Sequence, residues 1–310
     1  MSQSQIPSPT GQMQAKTPFR QTPFGEFLAD FTANPFAVLG LFGLIAVIVC
    51  AVFAPWIAPQ NPYDLMVLDF MDGNLPPGSV GGDGMIFALG SDDQGRDVWS
   101  SILYGLRTSL AVGAASAFIA FGIGCIIGLI AAYAGGIVDT LIMRLVELQL
   151  SFPAILIAMI LVAVLGQGTD KIIIALVAVQ WAYYARTIRG LALVENGREY
   201  IEATHVLGFS HFRIVLRHLL PNCIPPLIVI VTMQVASAIA LEATLSFLGI
   251  GLPLTEPSLG QQIANGYAYM QSGRYWLSIF PGLALLFTIV SLNLVGDHLR
   301  DVLNPKTRRQ

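Results

Sequence analysis

The sequence predicts an all-α integral membrane protein with about six transmembrane helices. Three observations support this fold class. Only 11% of the 310 residues are charged and 55% are hydrophobic, whereas soluble domains carry about a quarter charged residues. Several segments are long and apolar enough to span lipid, and the lysines and arginines are distributed unequally between the two sides that these segments define. Lipid is therefore the expected solvent for most of the surface.

The predicted spans follow one another along most of the chain. A spanning helix needs about 20 mainly apolar residues, and every predicted span meets this length except the fourth, which is shorter and ends in aromatic residues. In chain order the spans are residues 36–57, 109–133, 141–165, 172–188, 225–248 and 277–295. Small residues in the second span, such as Gly124 and Gly128, predict close packing between helices.

The positive charges orient these spans. With both termini in the cytoplasm, twelve cationic residues lie on the cytoplasmic side and four lie outside, as the positive-inside rule requires. The cytoplasmic set is Lys16, Arg20, Arg144, Arg186, Arg189, Arg198, Arg213, Arg217, Arg300, Lys306, Arg308 and Arg309, and the outer set is Arg96, Arg107, Lys171 and Arg274. The sequence therefore predicts a multi-pass protein of the bacterial inner membrane with two cytoplasmic termini.

This orientation makes residues 58–106 one long external loop. Loops of this length are usually functional or disordered. The end of the loop, residues 89–98, is rich in Asp and Gly and precedes a helix, which predicts an ordered turn. We consider Asp92, Asp93, Arg96 and Asp97 as candidates for docking an external partner, the alternative being a solvated acidic surface. Their spacing does not match a calcium-binding EF-hand loop.

Several other functional classes lack support in the sequence. A net charge of −3 without a basic stripe does not indicate a nucleic-acid partner. Cys50, Cys125 and Cys223 lie in or beside apolar runs and are interpreted as packing residues. The four histidines, His205, His211, His218 and His298, lack metal-ligand spacing, so no metal site is predicted.

One segment, residues 196–221, departs from the membrane pattern and is called the connecting segment below. Its residues 198–207 predict a short helix, and Gly208 is a natural end for it because glycine adopts the left-handed conformation readily. Ser210 is placed to cap a second short helix, and Pro221 fits the first turn of the fifth span. The pattern predicts a helix–Gly–helix on the cytoplasmic face. An ordinary amphipathic linker is the alternative.

The connecting segment resembles the EAA loop of ABC-importer permeases. The resemblance rests on Glu202, Ala203 and Thr204, on Gly208 four residues later, and on the pair Leu220 and Pro221. Two positions depart from the family pattern. Thr204 replaces the second alanine, and His218 occupies a position where the pattern prefers an apolar residue. The resemblance implies that the six residues named first couple the chain to an ATP-binding subunit.

Further motifs resemble the dipeptide/oligopeptide/nickel branch, in particular the second-type (C) permease of its heterodimeric pair. They lie at residues 89–98, 104–110, 134–144, 242–249, 280–282 and 293–301, so that the resemblance covers about residues 35–306. It implies a type I ABC importer transmembrane domain, a second permease subunit, two ATP-binding subunits and a periplasmic solute-binding protein. ATP and Mg²⁺ are then expected on partner subunits, with no cofactor bound by this chain.

The positions of the lysines support the expectation that ATP is bound by partner subunits. A Walker A motif needs Gly-Lys-Ser/Thr to hold phosphates, but Lys16, Lys171 and Lys306 follow Ala15, Asp170 and Pro305. None of the three closes that motif. The chain is therefore not expected to be an enzyme, and any ATP would be bound by another polypeptide.

A secondary transporter or channel and a membrane-embedded enzyme are the rival classes. The first usually places several ionisable groups at membrane depth, whereas Glu147 and Glu242 are the clearest membrane-buried charges here. Both are candidates for the translocation path. A buried hydrogen bond near the external end is the alternative for Glu242. A membrane enzyme would need a cluster of polar residues that the sequence does not show.

The expected domain organisation has four parts. They are a cytoplasmic tail (1–33), a first span with a periplasmic loop (34–103), a type-1 transmembrane domain (104–300) with the connecting segment inside it, and a second tail (301–310). Dipeptides, longer peptides, glutathione-like compounds, opines and nickel chelates are all compatible substrates. The lack of a His, Cys or Met cluster that would mark a metal path favours peptides.

Overall fold

A computed structural model describes residues 29–64, 66, 68–253 and 256–303. Most of the two predicted tails, with Lys16, Arg20, Lys306, Arg308 and Arg309, lies outside the described residues. The helices are α1 Pro35–Val52, α2 Ala54–Ile57, α3 Val98–Ala134, α4 Gly136–Leu150, α5 Ala154–Leu165, α6 Thr169–Asn196, α7 Glu199–Val206, α8 His211–Ile214, α9 Leu220–Phe247, α10 Leu259–Tyr269 and α11 Trp276–Leu303. Residues 29–32 are also helical.

Four described helices are long and apolar enough to cross a membrane. They are α1, α3, α11 and the continuous helix formed by α8, a π-helical turn at Val215–Leu219 and α9. The bent pair α4 and α5 counts as a fifth span. The remaining predicted span lies inside α6, which is 28 residues long but less apolar because it carries Lys171, Arg186 and Arg189. The structure is consistent with about six spans.

The predicted span over residues 141–165 consists of two helices with a sharp bend between them. α4 ends at Leu150, α5 begins at Ala154, and their axes differ by 88°. Pro153 explains the break, because it lacks an N–H group and keeps the preceding residue out of the helical conformation. The Ser151 hydroxyl donates to the Glu147 carbonyl oxygen at 2.7 Å, which satisfies a carbonyl at the end of α4.

The prediction of a separate second short helix before the fifth span is wrong. α8 continues into α9 through the π-helical turn, so the helix is unbroken from His211 to Phe247. Pro221 lies in the first turn of α9, as predicted. Because Pro221 has no N–H to donate to the preceding turn, a wider π-helical turn is accommodated there.

The core lies where α3, α6 and α9 meet. Buried side chains from all three helices form one cluster that includes Leu129, Tyr184 and Leu227. α3 and α6 approach closely because α3 presents glycines. A Cβ atom at Gly124 would lie 2.8 Å from the Trp181 carbonyl oxygen. The predicted close packing through small residues is confirmed for this helix pair.

The long loop (residues 58–106) has structure of its own. Ser79–Val80 and Ile86–Phe87 form a small antiparallel pair, β1 and β2, in which Ser79 is opposite Phe87. A 3-10 turn at Phe70–Asp72 precedes it. The loop therefore presents a folded surface at the end of the bundle where α3 begins.

Candidate coupling site

The connecting segment begins where α6 ends at Asn196. Gly197 follows as the C-cap residue, and its N–H group bonds to the Glu195 carbonyl oxygen. α7 then carries Glu199 and Glu202 in its first turn. Negative charge near a helix N-terminus is favourable because the helix dipole is positive there. The predicted short helix at 198–207 is confirmed to within its end residues.

Gly208 ends α7 in the left-handed conformation that the sequence predicts. Its φ is +72°, which only glycine adopts at little cost. The Phe209 N–H donates to the Thr204 carbonyl oxygen at 3.2 Å, and the Leu207 N–H donates to that of Ala203 at 3.0 Å. The predicted side-chain cap at Ser210 is wrong, since its hydroxyl makes no cap hydrogen bond to α8.

α7 has one buried face and one exposed face. Ile201 is fully buried and Thr204 is 6% exposed, with its hydroxyl bonded to the Ile201 carbonyl oxygen at 2.7 Å. Glu202 and Ala203 are exposed. Two apolar side chains at the end of α7, Val206 and Leu207, are 88% and 70% exposed. We call Val206, Leu207 and Gly208 the apolar tip.

A hydrogen-bond network fixes α7 to both neighbouring helices. The Tyr200 hydroxyl donates to Glu195 Oε2 at 2.9 Å and accepts from Asn222 Nδ2 at 3.0 Å. Asn222 Nδ2 also donates to the His218 carbonyl oxygen at 2.7 Å. Burial, followed by the bond to the Glu195 carboxylate, raises the pKa of Tyr200 above its usual value, so the hydroxyl keeps its proton.

The remaining candidate coupling residues lie at the start of α9. Leu219 is fully buried in the core cluster, and Leu220 packs against the same cluster. Pro221 is exposed. On the opposite side of the turn, the Phe209 ring stacks on His218 with 5.9 Å between centroids, and Arg213 lies over Phe209 at 5.6 Å. The turn after α7 is therefore packed against the helix that enters the bundle.

Glu242 and Glu147 have opposite environments. Glu242 is fully buried and accepts hydrogen bonds from three serine hydroxyls, those of Ser109 at 2.9 Å, Ser246 at 2.8 Å and Ser258 at 2.9 Å. This geometry matches the alternative of a buried hydrogen-bonded carboxylate. Glu147 is exposed within this chain and pairs with Arg144 at 3.2 Å. Its place on the translocation path stays a prediction.

Three of the four docking candidates of the long loop, Asp92, Arg96 and Asp97, make side-chain hydrogen bonds within the chain. Arg96 Nε bonds to Asp92 Oδ2 at 2.7 Å, and Asp97 Oδ2 accepts from the Ser100 N–H at 2.8 Å as the N-cap of α3. Arg96 is 5% and Asp97 is 1% exposed, so neither side chain offers a surface for direct contact, contrary to expectation. Burial raises the pKa of Asp97, and also that of Asp93, which is only half-buried.

Comparison with known proteins decides the family. The profile of the family described as binding-protein-dependent transport system inner membrane component matches residues 124–309. A second profile, the N-terminal TM domain of oligopeptide transport permease C, matches residues 22–77. The chain belongs to this family of transport permeases. The resemblance found in the sequence is thus confirmed.

Relatives of the permease cover nearly its whole length. The di/tripeptide transport system permease protein DppC of Pseudomonas aeruginosa (strain UCBPP-PA14) is 36% identical over 93% of each chain. The dipeptide transport system permease protein DppC of Escherichia coli (strain K12) is 41% identical over 94% of the permease and 96% of the relative. Both carry the word permease in their names, in agreement with the predicted function of the chain as a permease subunit.

Solved structures support the fold. A chain of the inward-facing MetNI methionine ABC transporter superposes with a TM-score of 0.53 at 23% identity, covering 65% of the permease and 95% of that chain. A second crystal form of the same transporter gives 0.54. The predicted type I ABC importer fold is therefore confirmed.

Sequence reasoning missed the residues that hold and present α7. The network of Glu195, Tyr200 and Asn222 depends on Asn222, which is 22 positions from Tyr200, so no local pattern marks it. Of the three residues of the apolar tip, the sequence analysis identified only Gly208. An apolar pair, Val206 and Leu207, directly before a helix-ending glycine on a polar segment was the signal that could have identified the rest.

Proposed function

We propose that this permease is one of two membrane subunits of an ATP-driven importer for di- or oligopeptides in the bacterial inner membrane. Relatives named as dipeptide or di/tripeptide permeases, 36% and 41% identical over more than nine-tenths of the chain, support the substrate class. The positive-charge asymmetry supports cytoplasmic termini and an external position for the long loop. The partners are a second permease, two ATP-binding subunits and a periplasmic binding protein.

We propose further that the connecting segment transmits ATP hydrolysis to the membrane bundle. The exposed apolar tip is the observation that carries this role. Val206 and Leu207 are adjacent apolar side chains exposed on a polar segment, which indicates a surface that a partner covers. Gly208 has open space around it. Glu202 and Ala203 lie on the same exposed helix, so a partner surface can meet both charge and apolar area.

Anchoring of α7 to two membrane helices through Tyr200 supports transmission of movement. α7 is hydrogen-bonded to α6 through Glu195 and to α9 through Asn222. A displacement of α7 by a partner would therefore move two membrane helices together. Such coupling requires a bundle with two arrangements that both the partner and the substrate bias, here the inward-facing and outward-facing states.

Two substitutions test this proposal in reconstituted vesicles that contain the whole transporter. Gly208→Leu opposes the left-handed backbone and fills the space that a partner would occupy, and Glu202→Arg reverses the charge beside it. Both are expected to insert normally and to lose substrate-stimulated ATP turnover and uptake together, with weaker capture of the ATP-binding subunits. The matched control is Gly78→Leu, because Gly78 has a φ of +84° and open surroundings in the long loop. Parental activity in both test variants would contradict the coupling role.

A further inference from the structure

A cavity of about 400 Å³ lies beside the break between α4 and α5. α4 and α5 contribute one wall, and α6 and α9 contribute the other. Phe152, in the break itself, is 63% exposed and lines the opening. The same proline that interrupts the predicted third span therefore creates room next to the two long helices.

Among the described residues, the lining of this cavity is mainly apolar, with several polar side chains and no charged one. Gln149, Gln180, Tyr183, Gln234 and Ser237 contribute amide and hydroxyl groups, and the other lining residues in the described part of the chain are apolar or aromatic. Gln180 and Gln234 lie near the middle of α6 and α9. Polar groups at this depth in a membrane protein are costly, and they commonly mark the path of a substrate.

Gln180 has an unsatisfied acceptor at this site. The side chain is 5% exposed, and its Nε2 donates to the Gln234 carbonyl oxygen at 3.1 Å. Its Oε1 is buried and has no hydrogen-bond partner. A buried acceptor without a partner costs about 1–3 kcal/mol, so its retention points to a donor that arrives with a ligand.

Gln149 closes the other side of the cavity. Its Nε2 donates to the Val179 carbonyl oxygen at 3.2 Å and also to that of Ala178, which holds α4 against α6. The side-chain amides of Gln149 and Gln180 thus both donate to backbone carbonyl oxygens beside the cavity. A carboxamide can form the same kind of hydrogen bond with a peptide substrate, because the N–H and C=O groups of a peptide backbone are complementary to it.

We propose that this cavity is the contribution of this subunit to the translocation path and that it binds the backbone amides of the peptide in transit. Gln180 Oε1 accepts from a substrate N–H group, and the hydroxyl of Ser237, one turn after Gln234, lies along the same wall. Since the described residues of the lining carry no charge, peptides with different side chains meet the same contacts. The inference rests on the proposed peptide-import function and adds the site that the substrate passes.

Reciprocal charges at Ser237 test the position of the path. Ser237 is exposed to the cavity. In vesicles with the complete transporter, uptake is measured for Ala-Ala-Ala, Ala-Lys-Ala and Ala-Glu-Ala. Ser237→Asp is expected to raise the ratio of Ala-Lys-Ala to Ala-Glu-Ala uptake by about fivefold, and Ser237→Lys to lower it to a similar degree, as one added unit charge in a partly hydrated cavity predicts. Because the binding protein is the same throughout, a changed ratio reports on the membrane path.

Gln180→Leu tests the amide contact. It removes the acceptor at similar volume, together with the bond from Nε2 to the Gln234 carbonyl oxygen. It is expected to lower Ala-Ala-Ala uptake about tenfold, the effect of one lost hydrogen bond between the substrate and a buried group. The matched control is Thr288→Val, which removes a fully buried hydroxyl in α11 away from the cavity and should leave uptake unchanged. Parental uptake in Gln180→Leu, or charge ratios that shift in the same direction in both Ser237 variants or not at all, would overturn the inference alone. If the parent transports none of the three peptides, the proposed function fails instead.

Discussion

Tyr200 donates a hydrogen bond to Glu195 across the turn that joins α6 to α7, with 2.9 Å between the hydroxyl and Oε2. The same hydroxyl accepts from Asn222 at the start of α9. One side chain on α7 therefore contacts both membrane helices that flank the connecting segment. Tyr200 is five positions from Glu195 and twenty-two positions from Asn222 in the sequence, so the complete link exists only in the folded chain.

Tyr200→Phe should loosen the coupling between ATP turnover and transport. The substitution keeps the ring and removes both hydrogen bonds, with a net loss of about 1–2 kcal/mol in the anchoring of α7. We expect the number of peptides imported per ATP hydrolysed to fall while the ATP-binding subunits remain bound. The measurement is uptake and ATP turnover on one vesicle preparation.

Tyr63→Phe is the control for this prediction. Tyr63 lies in the long loop, and its hydroxyl contacts the Thr108 hydroxyl at 3.5 Å. This control also removes one tyrosine hydroxyl, but at the opposite end of the molecule from Tyr200. An unchanged transport ratio in Tyr200→Phe would show that the network does not transmit movement.

Glu242→Ala should destabilise the permease. It leaves the hydroxyls of Ser109, Ser246 and Ser258 without their acceptor in a fully buried site and creates a cavity, which together cost about 3 kcal/mol or more. Glu242→Gln keeps an acceptor and the volume, so its effect should be smaller. Thermal unfolding in detergent and the yield of assembled complex are the measurements.

Glu147→Ala is the matched control, since Glu147 is 58% exposed in its side chain and its pair with Arg144 is also exposed. An exposed ion pair contributes little. If Glu242→Ala assembles and unfolds like the parent, the structural role is wrong. If Glu242→Gln assembles fully but transports poorly, the path candidate regains support.

Asp97→Ala should loosen the start of α3 and the end of the long loop. Asp97 accepts from the Ser100 N–H at 2.8 Å and from the Ser100 hydroxyl at 2.6 Å, and loss of an N-cap costs about 1 kcal/mol. Faster limited proteolysis within the loop is expected. Asp83→Ala, at an exposed turn where Asp83 bonds only to the Met85 N–H among the hydrogen bonds described, should have a smaller effect.

Two engineered thiols should be labelled from opposite sides of the membrane. Val80→Cys and Val206→Cys are compared in a background with Cys50, Cys125 and Cys223 replaced, and the parent valines are 63% and 88% exposed. In spheroplasts that produce the permease without the ATP-binding subunits, which would cover Val206, a membrane-impermeant reagent should label Val80→Cys at once and Val206→Cys only after permeabilisation. The reverse result would overturn the orientation drawn from the charge asymmetry.

The long helices could be predicted because their determinants are local. Runs of apolar residues and their charged flanks are visible in the sequence. α3 and α11 contain the corresponding predicted spans, and α1 and α9 cover most of theirs. The third span was predicted as one segment because apolar residues predominate on both sides of Pro153. Proline in an apolar run is tolerated in many membrane helices, so composition alone did not locate the 88° bend.

The candidate coupling site was predictable only in part, for the same reason. The positive φ of Gly208 could be predicted from its residue type, because few other residues adopt a positive φ. Ser210 has the right residue type for a cap, but its hydroxyl does not make the bond. In the long loop, Asp97 and Arg96 were predicted to lie on a charged surface, but both are buried in the structure. Burial depends on what other elements lie nearby, which the local sequence does not state.

The sequence by itself determined the membrane class, the approximate spans, the helix-ending glycine of the connecting segment and the family. These follow from hydrophobic length, charge placement and motif order, all of which are properties of neighbouring residues. Only the tertiary structure decided that Glu242 is enclosed by three serines, that Tyr200 joins α6 to α9, and that Gln180 keeps an unpaired oxygen beside a cavity. Each depends on contacts between helices distant in the chain, and packing of the whole bundle sets those contacts.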